Sequence, residues 1–289
     1  MERGQDSSRP GKEQKERAKE GREASSEQAI LVVSFGTSYD NSRELTVGAI
    51  EKAIARKFPD YEVRRAFTSQ VIINILKKRE GLEIDNVEEA LERAAADGVK
   101  TLVVQPTHLM AGYEYRALVN RLKAYEDRFE KAAIGSPLLS ADEDFRGVIK
   151  AIVERTASYD DGETALCFVG HGTEADSNGV YARLQDKLTE EGYGNYYIGT
   201  VEAEPSLNTV TKALRAHGGY KRVVLEPLMV VAGDHANHDM AGDEEDSWRS
   251  VLEKEGYEVE CVMEGLGQIK GIQDIYGRHA EKAIQGLAR

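Results

Sequence analysis

Short runs of apolar residues, separated by longer polar and mixed segments, set the pattern of this chain. Four runs are rich in valine, leucine and isoleucine and occupy residues 29–35, 101–106, 165–170 and 222–231. None of them alternates between apolar and polar positions, as a strand with one solvated face would. The runs therefore predict buried strands in sheets that are covered on both faces.

The segments between these runs have the apolar spacing of amphipathic helices. Helices are predicted over 42–58 and 86–98. The second segment carries Asn86 as a predicted N-cap, Glu89 three residues later and Gly98 as a stop signal. Alternating strands and helices predict an α/β fold built from parallel strand–helix–strand units. Ligands of such folds bind beyond the carboxyl ends of the strands.

A weak internal repeat relates the first half of the chain to the second. Two pairs of stretches carry it: VSFGTS (33–38) with VGHGTE (169–174), and QPTHLMAGYE (105–114) with EPLMVVAGDH (226–235). Because both matches occur in the same order, chance is a poor explanation for them. We therefore expect two similar lobes, 29–140 and 141–289, each with a parallel sheet flanked by helices, facing each other across a cleft.

Residues 1–28 differ in composition from the rest of the chain. They contain almost no apolar side chains and balance seven basic residues against seven acidic ones. Such a segment buries too little apolar surface to offset the entropy that it would lose on ordering. We predict a disordered tail outside the fold, and its lack of an apolar stretch argues against a secretory signal.

The overall composition is that of a globular protein and narrows the classes of partner. Of 289 residues, 40% are hydrophobic and 31% are charged, and the net charge is −13. The acidic balance argues against a nucleic-acid partner, and no apolar run approaches the ~18 residues of a membrane span. Cys167 and Cys261 lie far apart among apolar neighbours, which predicts reduced thiols and a cytoplasmic location. The composition does not decide between a monomer and a homo-oligomer.

Three predicted strand ends in the second lobe carry side chains that can bind a metal ion. His171 follows one strand, Glu202 follows a second and His235 follows a third. Because loops at adjacent strand ends converge, these side chains could share one ion. Two imidazoles and one carboxylate suit a divalent ion such as cobalt, iron, nickel or zinc. The neighbouring Gly170 and Gly172 would let the backbone approach a large flat ligand.

Other polar residues compete for these roles or have simpler explanations. His238 completes a His-x-x-His pair with the third candidate that could itself bind metal. Glu204 is an alternative carboxylate, although the proline after it suggests the start of the next helix. His217 fits a helix C-terminus, and His279 is expected on the surface of the final helix. The acidic stretch at 243–248 fits a helix N-terminus rather than a cation site.

Five motifs together resemble one known family: LVVSFGTSY (31–39), RAFTS (65–69), GHG (170–172), PLMVVAGDHANHDMAGD (227–243) and DSW (246–248). The family is that of the anaerobic cobalt chelatases of cobalamin biosynthesis, the sirohydrochlorin cobaltochelatases among class II chelatases. The resemblance implies a bilobal, ferrochelatase-like fold and insertion of Co²⁺ into sirohydrochlorin without ATP or another nucleotide. The family's metal-binding residues fall on His171, Glu202 and His235, whereas His238 matches none of them.

Metal insertion into a tetrapyrrole suggests further roles. Two pyrrole protons must leave, and His171 and Glu202 could accept them besides holding the ion. The first lobe would grip the macrocycle through Phe35, Thr37 and His108. An iron chelatase for sirohaem synthesis and a non-catalytic carrier of tetrapyrrole or metal would use similar ligands, so both stay open. A periplasmic binding protein also has two α/β lobes, but it would need an export signal, and residues 1–28 do not have the apolar stretch of such a signal.

The eight carboxylates of sirohydrochlorin predict cationic side chains along the cleft. The candidates are Arg64 or Arg65 near a strand end, and Arg116 in the sequence GYEYRAL. A looser match in the repeat pairs Glu202 with Thr68. If these pairings hold, each chain carries one metal centre, and the second lobe supplies its ligands.

Overall fold

The computed structural model describes residues 26–288, which form two four-stranded parallel sheets with helices on their faces. The strands are β1 (Gln28–Ser34), β2 (Glu62–Phe67), β3 (Thr101–Pro106), β4 (Lys131–Ile134), β5 (Thr164–Gly170), β6 (Tyr196–Thr200), β7 (Arg222–Pro227) and β8 (Glu258–Cys261). Residues 1–25 of the predicted tail lie outside the described residues. Gln28, the last residue assigned to that tail, already belongs to β1.

Helices connect these strands and cover the sheets. They are α1 (Asp40–Leu45), α2 (Val47–Lys57), α3 (Gln70–Glu80), α4 (Val87–Ala96), α5 (Tyr113–Tyr125), α6 (Asp142–Thr156), α7 (Gly179–Glu190), α8 (Leu207–His217), α9 (Trp248–Lys254) and α10 (Lys270–Leu287). The predicted start of α4 is confirmed, because Asn86 accepts a hydrogen bond from the Glu89 amide and the Glu89 carboxylate accepts one from the Asn86 amide. Gly98 follows the helix with φ at 86°.

The two sheets have the same topology. The strand order is β2-β1-β3-β4 in the first and β6-β5-β7-β8 in the second, and neighbouring strands are parallel throughout. The repeated stretches 33–38 and 169–174 both leave an inner strand of their sheet at its carboxyl end. The expected α/β fold with two similar parallel sheets is therefore confirmed.

The helix predicted over 42–58 is interrupted. Thr46, with φ and ψ at −112° and −80°, separates α1 from α2. Its hydroxyl donates to the Ser42 carbonyl, a local bond that competes with the helical backbone pattern. A methyl group on Gly267 would lie only 2.8 Å from the Thr46 Cβ, so the chain after β8 packs closely against this break.

The apolar run at 222–231 is longer than the strand that it forms. Strand β7 ends at Pro227, which has no backbone N–H for a further ladder bond. Met229 and Val230 then accept hydrogen bonds from the amides of Leu266 and Gly267. The run stays apolar past the strand because Leu228 belongs to the core and the residues after it pack against the core while lining a cavity.

One apolar core joins the two sheets. It contains Ile30 and Val103 from the first sheet, Leu166 and Val224 from the second, and Tyr276 from α10. Helix α10 packs against α2 and α6 and also contacts β3 and β4. The C-terminal helix therefore returns to the first sheet and ties the two halves of the chain together.

The prediction that His279 lies on the surface is wrong. Its side chain is 3% exposed, and its Nε2 lies 2.8 Å from the carboxylate of Asp144, which is 2% exposed. Its Nδ1 lies 3.0 Å from the Ser136 carbonyl oxygen. The charged pattern of α10 hid this because His279 sits on the one face of the helix that packs against the first sheet and α6. Between residues 26 and 288, no helix is long and apolar enough to cross a bilayer.

Candidate metal site in the cleft between the sheets

A cavity of about 680 Å³ lies where the carboxyl ends of both sheets face each other. Both halves of the chain line it, and its wall includes the six residues singled out in the sequence: Phe35, Thr37, His108, His171, Glu202 and His235. Across the cleft, the Tyr39 hydroxyl donates to a carboxylate oxygen of Asp234 at 3.4 Å. The position agrees with the general rule for ligand sites in parallel sheets.

The two glycines beside His171 are required by close packing and backbone conformation. A Cβ on Gly170 would lie 2.3 Å from the ring of Tyr181, so no other residue fits there. Gly172 has φ at 87°, and a Cβ would lie 2.8 Å from the Ala203 amide nitrogen. The Gly172 amide donates to the Tyr181 hydroxyl at 3.3 Å. The loop after β5 is thus pressed against Tyr181 and the loop after β6, which fixes the start of the His171 side chain.

Tyr181 was not identified from the sequence, because nothing local marks it as part of the site. It is 1% exposed, and burial raises the pKa of its phenol to about 12. The phenol therefore stays neutral near pH 7. Its ring packs against Gly170, and its hydroxyl accepts the hydrogen bond from the Gly172 amide.

Glu202 is held beside His171 by backbone bonding between adjacent loops. Its amide donates to the His171 carbonyl at 2.9 Å, and the Thr200 hydroxyl donates to the Ala203 carbonyl at 2.6 Å. The competing Glu204 faces elsewhere, since its carboxylate accepts bonds from Thr209 and Ser206 at the start of α8. These hydrogen bonds stabilise the charged carboxylate and lower the pKa of Glu204, and the bond from the Thr209 hydroxyl has the largest effect.

His235 precedes a single π-helical turn, Ala236–Met240. Such turns are rare and are frequent at functional sites. Its Nδ1 lies 2.8 Å from a carboxylate oxygen of Asp239. Because a carboxylate only accepts, this contact places the imidazole hydrogen on Nδ1 and leaves the Nε2 lone pair free. Asp239 was missed in the sequence, although its spacing of four residues from His235 is the signal that could have revealed it.

The three predicted ligand residues converge. One nitrogen or oxygen atom from each of His171, Glu202 and His235 can be chosen so that all lie within 4.8 Å of one another. The His171 Nδ1 is 3.6 Å from a Glu202 carboxylate oxygen, and the two imidazole rings meet edge to face with centroids 4.3 Å apart. The arrangement can hold one metal ion between two imidazoles and a carboxylate.

Hydrogen bonding orients the first imidazole as well. The His171 Nδ1 lies 2.8 Å from the Gly172 carbonyl oxygen, which can only accept. The hydrogen is therefore on Nδ1, and Nε2 is free. The side chains of His171, Glu202 and His235 are 45%, 54% and 37% exposed, so the cluster is open to ions from solvent.

The first half of the chain supplies the opposite wall. Phe35 is 51% exposed and Thr37 is 3% exposed. The His108 side chain is 10% exposed, and its Nε2 lies 3.3 Å from a Glu114 carboxylate oxygen, although neither ring nitrogen makes a well-directed hydrogen bond within the described chain. Glu114 and the exposed Tyr113 also line the cavity. The repeat, which aligns Glu114 with His235, was the available signal for this carboxylate.

The expectation of cationic side chains along the cavity is wrong. Among the described residues that line it there is no lysine or arginine. Arg64 pairs with Glu62 and Asp97, and Arg65 pairs with Glu51; neither is part of the cavity wall. Arg116 is exposed on α5 outside that wall. The sequence placed Arg64 and Arg65 near the end of a strand, but it did not show that their side chains point away from the cavity.

The remaining histidine and acidic candidates lie away from the cluster. His238 is 65% exposed and contacts Asp234 at 3.1 Å, and it is not part of the metal-binding group found within residues 26–288. His217 ends α8, as expected. In the stretch 243–248, Ser247 caps α9 by accepting a hydrogen bond from the Ser250 amide.

The structure also corrects one pairing in the repeat. The amides of Thr68 and Ser69 donate to the carbonyls of Ser34 and Phe35, as the amides of Val201 and Glu202 donate to Gly170 and His171. Glu202 is thus equivalent to Ser69 and not to Thr68. The looser sequence match was shifted by one residue because it rested on similar letters rather than on strand register.

The chain is similar in sequence to known metal chelatases. A family model described as cobalt chelatase (CbiK) matches residues 28–285. The sirohydrochlorin cobaltochelatase of Salmonella typhimurium is 35% identical over 256 residues, covering 89% of this chain and 96% of that protein. The sirohydrochlorin cobaltochelatase CbiKC of Nitratidesulfovibrio vulgaris is 31% identical over 260 residues, covering 89% of this chain and 91% of that protein.

Solved structures share the fold at lower identity. SirB from Bacillus subtilis with Fe³⁺ has a TM-score of 0.65 at 13% identity and covers 91% of this chain and 98% of its own. CbiX, described as the terminal enzyme of siroheme biosynthesis in denitrifying bacteria, has a TM-score of 0.53 at 14% identity, with 89% and 99% covered. The family match over nearly all of the described residues, together with the two relatives, shows that this chain belongs to the cobalt chelatase (CbiK) family.

Proposed function

We propose that this protein inserts Co²⁺ into sirohydrochlorin, without ATP, as a step in anaerobic cobalamin biosynthesis. The observation that carries the proposal is the convergence of His171, Glu202 and His235 on one wall of a cavity that both sheets share. The names of the two relatives support the choice of metal and macrocycle. Co²⁺ is a substrate here and leaves in the product.

The metal would bind to the second-half wall before it meets the ring. His171 and His235 offer Nε2 lone pairs, and Glu202 offers a carboxylate that offsets part of the charge of the ion. The cavity wall also carries Glu114 and Asp234, and no lysine or arginine among residues 26–288 lines it. An acidic cleft attracts divalent cations and raises their local concentration. Holding the ion and the ring together then removes the entropic cost of their encounter.

Ring metallation also releases two pyrrole protons, which need acceptors in the cavity. We assign this role to His171 and Glu202, because a side chain that ligates the ion could release it to the ring and accept a proton instead. A neutral imidazole and a carboxylate can both accept a proton near pH 7. Each proton can then pass to solvent, because both side chains are about half exposed.

The macrocycle would lie against the opposite wall. Phe35 presents an exposed ring there, and Thr37 and His108 lie beside it. Because no lysine or arginine lines the cavity within the described residues, we infer that the substrate carboxylates point out of it towards solvent. This orientation keeps the anionic groups away from Glu114 and Asp234.

Parallel metallation assays test the proposal. Under anaerobic conditions, sirohydrochlorin with Co²⁺ should lose the absorbance of the free ring at a protein-dependent rate, and ATP should not change that rate. The same assay with Fe²⁺ tests the alternative of a sirohaem-forming iron chelatase. Binding of ring and metal without turnover would instead identify a carrier and contradict the proposal.

The domain boundaries and the setting of the protein complete the proposal. We infer two lobes, 29–140 and 141–289, with α10 of the second lobe packed onto the first sheet, a cytoplasmic location and no nucleic-acid or membrane partner. Limited proteolysis near residue 140 and size-exclusion chromatography would test the lobes and the oligomeric state.

A further inference from the structure

We propose that Asn178 is a positioning residue that holds His171 and Glu202 at a fixed separation. Its side chain accepts a hydrogen bond from the Thr173 amide at 3.0 Å and donates one to the Glu204 carbonyl at 2.6 Å. Thr173 lies two residues after His171, and Glu204 lies two residues after Glu202. One amide side chain thus bridges the two loops that carry these candidate metal ligands. The inference rests on the proposed metal site.

Among the described residues, the Asn178 side chain makes only these two hydrogen bonds. The residue precedes α7, a position at which asparagine often caps the helix with its side chain. Here it makes no such capping bond. It is also absent from the cavity wall, so it does not contact the ion or the ring directly. Its two hydrogen bonds serve only the connection between the loops.

Both ends of the bridge are firmly attached. The Asn178 amide donates to the Ala175 carbonyl at 2.9 Å, so the residue is fixed in the loop after β5. Glu204 is fixed at the start of α8, where its carboxylate accepts from the Ser206 amide at 2.9 Å and the Thr209 hydroxyl at 2.7 Å. The bridge therefore transmits the position of α8 to the His171 loop.

The separation matters because metal–ligand bonds tolerate deviations of only about 0.2 Å. The two loops are already linked by bonds from the Val201 and Glu202 amides to the Gly170 and His171 carbonyls, but both of these bonds lie before Gly172 in the His171 loop. Asn178 adds a further link on the far side of Gly172, a residue with wide backbone freedom. Links on both sides of Gly172 restrain the orientation of the loops as well as their distance.

The chain offers a matched control at the opposite end of the same strands. Asn195 lies just before β6, and its side-chain amide donates to the Asp160 carboxylate at 3.0 Å and to the Thr164 carbonyl at 3.5 Å. It therefore also bridges the segments beside β5 and β6, but at their amino ends. Both asparagines are half-buried. Loss of either bridge should affect general stability to a similar degree.

The experiment is a pair of titrations, with Co²⁺ alone and with metal-free sirohydrochlorin, on the full-length variants N178A, N178D, N195A and H171A, with thermal midpoints recorded. We expect N178A to weaken Co²⁺ binding about tenfold, in the range found for residues that support metal ligands, and to leave ring affinity within about twofold. N178D keeps the acceptor for the Thr173 amide and loses the donor to Glu204, so its loss should be smaller. N195A should bind Co²⁺ like the unmodified protein.

Three outcomes would overturn the proposal. They are unchanged Co²⁺ affinity in N178A, an equal loss in N195A, and an equal loss of ring affinity in N178A. H171A separates this proposal from the proposed site. If H171A binds Co²⁺ normally, the metal site itself is wrong, whereas a weakened H171A with an unchanged N178A refutes only the positioning role.

Discussion

The carboxyl ends of the two sheets share a backbone design and differ in the side chains that they present. Gly36 and Gly172 follow the inner strands β1 and β5 with φ at 100° and 87°. The loops after β2 and β6 donate to the carbonyls of Phe35 and His171 in the same register. At the three equivalent positions, the first sheet carries Phe35, Ser69 and Glu114, and the second carries His171, Glu202 and His235. One fold repeated twice thus presents an aromatic ring, a hydroxyl and a carboxylate on the first sheet. On the second sheet it presents the two imidazoles and the carboxylate of the candidate metal site, while the backbone after the inner strands is alike.

Removing an imidazole from the second wall should have the largest effect. We expect H171A and H235A to lose cobalt insertion by about 10²- to 10⁴-fold, because each removes a ligand and His171 also accepts a proton. Initial rates of metallation measure this loss. H238A is the control, since that histidine lies outside the cluster, and comparable activity in all three variants would contradict the assignment.

Placing a methyl group on the equivalent glycines separates fold from site. G36A and G172A should each destabilise the protein by about 1 to 3 kcal/mol, since both residues have positive φ and the added Cβ would lie 2.6 Å from Phe67 or 2.8 Å from Ala203. Only G172A should also weaken Co²⁺ binding, because it displaces His171. Thermal unfolding and metal titration distinguish the two effects, and equal metal affinities would show that the loop tolerates the displacement.

Two substitutions on opposite walls should have reciprocal effects. E202Q should weaken Co²⁺ binding about tenfold with little change in ring affinity, because it removes a charged ligand. F35A should weaken ring binding by about 1 kcal/mol, roughly fivefold, and leave Co²⁺ affinity unchanged. Separate titrations with Co²⁺ and sirohydrochlorin measure both. An F35A protein that lost the metal but kept the ring would refute the division of labour.

Deleting residues 1–25 should have the smallest effect. The segment has almost no apolar side chains, so its loss should change the thermal midpoint and the metallation rate by less than the error of either measurement. The deletion stops before Gln28, which pairs with Thr101 in the first sheet. A lower midpoint or a changed oligomer size would show that the segment packs against one of the two regions compared above.

The sequence by itself determined the α/β class, the buried inner strands and the repeat. Continuous apolar runs and capping signals such as Asn86 with Glu89 are local, and local interactions suffice to specify a strand or a helix start. Family motifs also located the three candidate ligands. The three side chains lie close together because loops at neighbouring carboxyl ends of parallel strands converge, and their role as ligands stays a prediction.

Only the tertiary structure decided which residues support that site and which face solvent. Tyr181 under Gly170, Asp239 behind His235 and the bridge made by Asn178 depend on contacts between segments or on side-chain direction, which letter patterns do not record. The same limit explains the burial of His279, whose helix returns to the first sheet, and the absence of arginines from the described cavity wall. Strand register and helix packing decide whether a charged side chain points to solvent, to the core or into the cavity. Both are fixed only when the whole core forms.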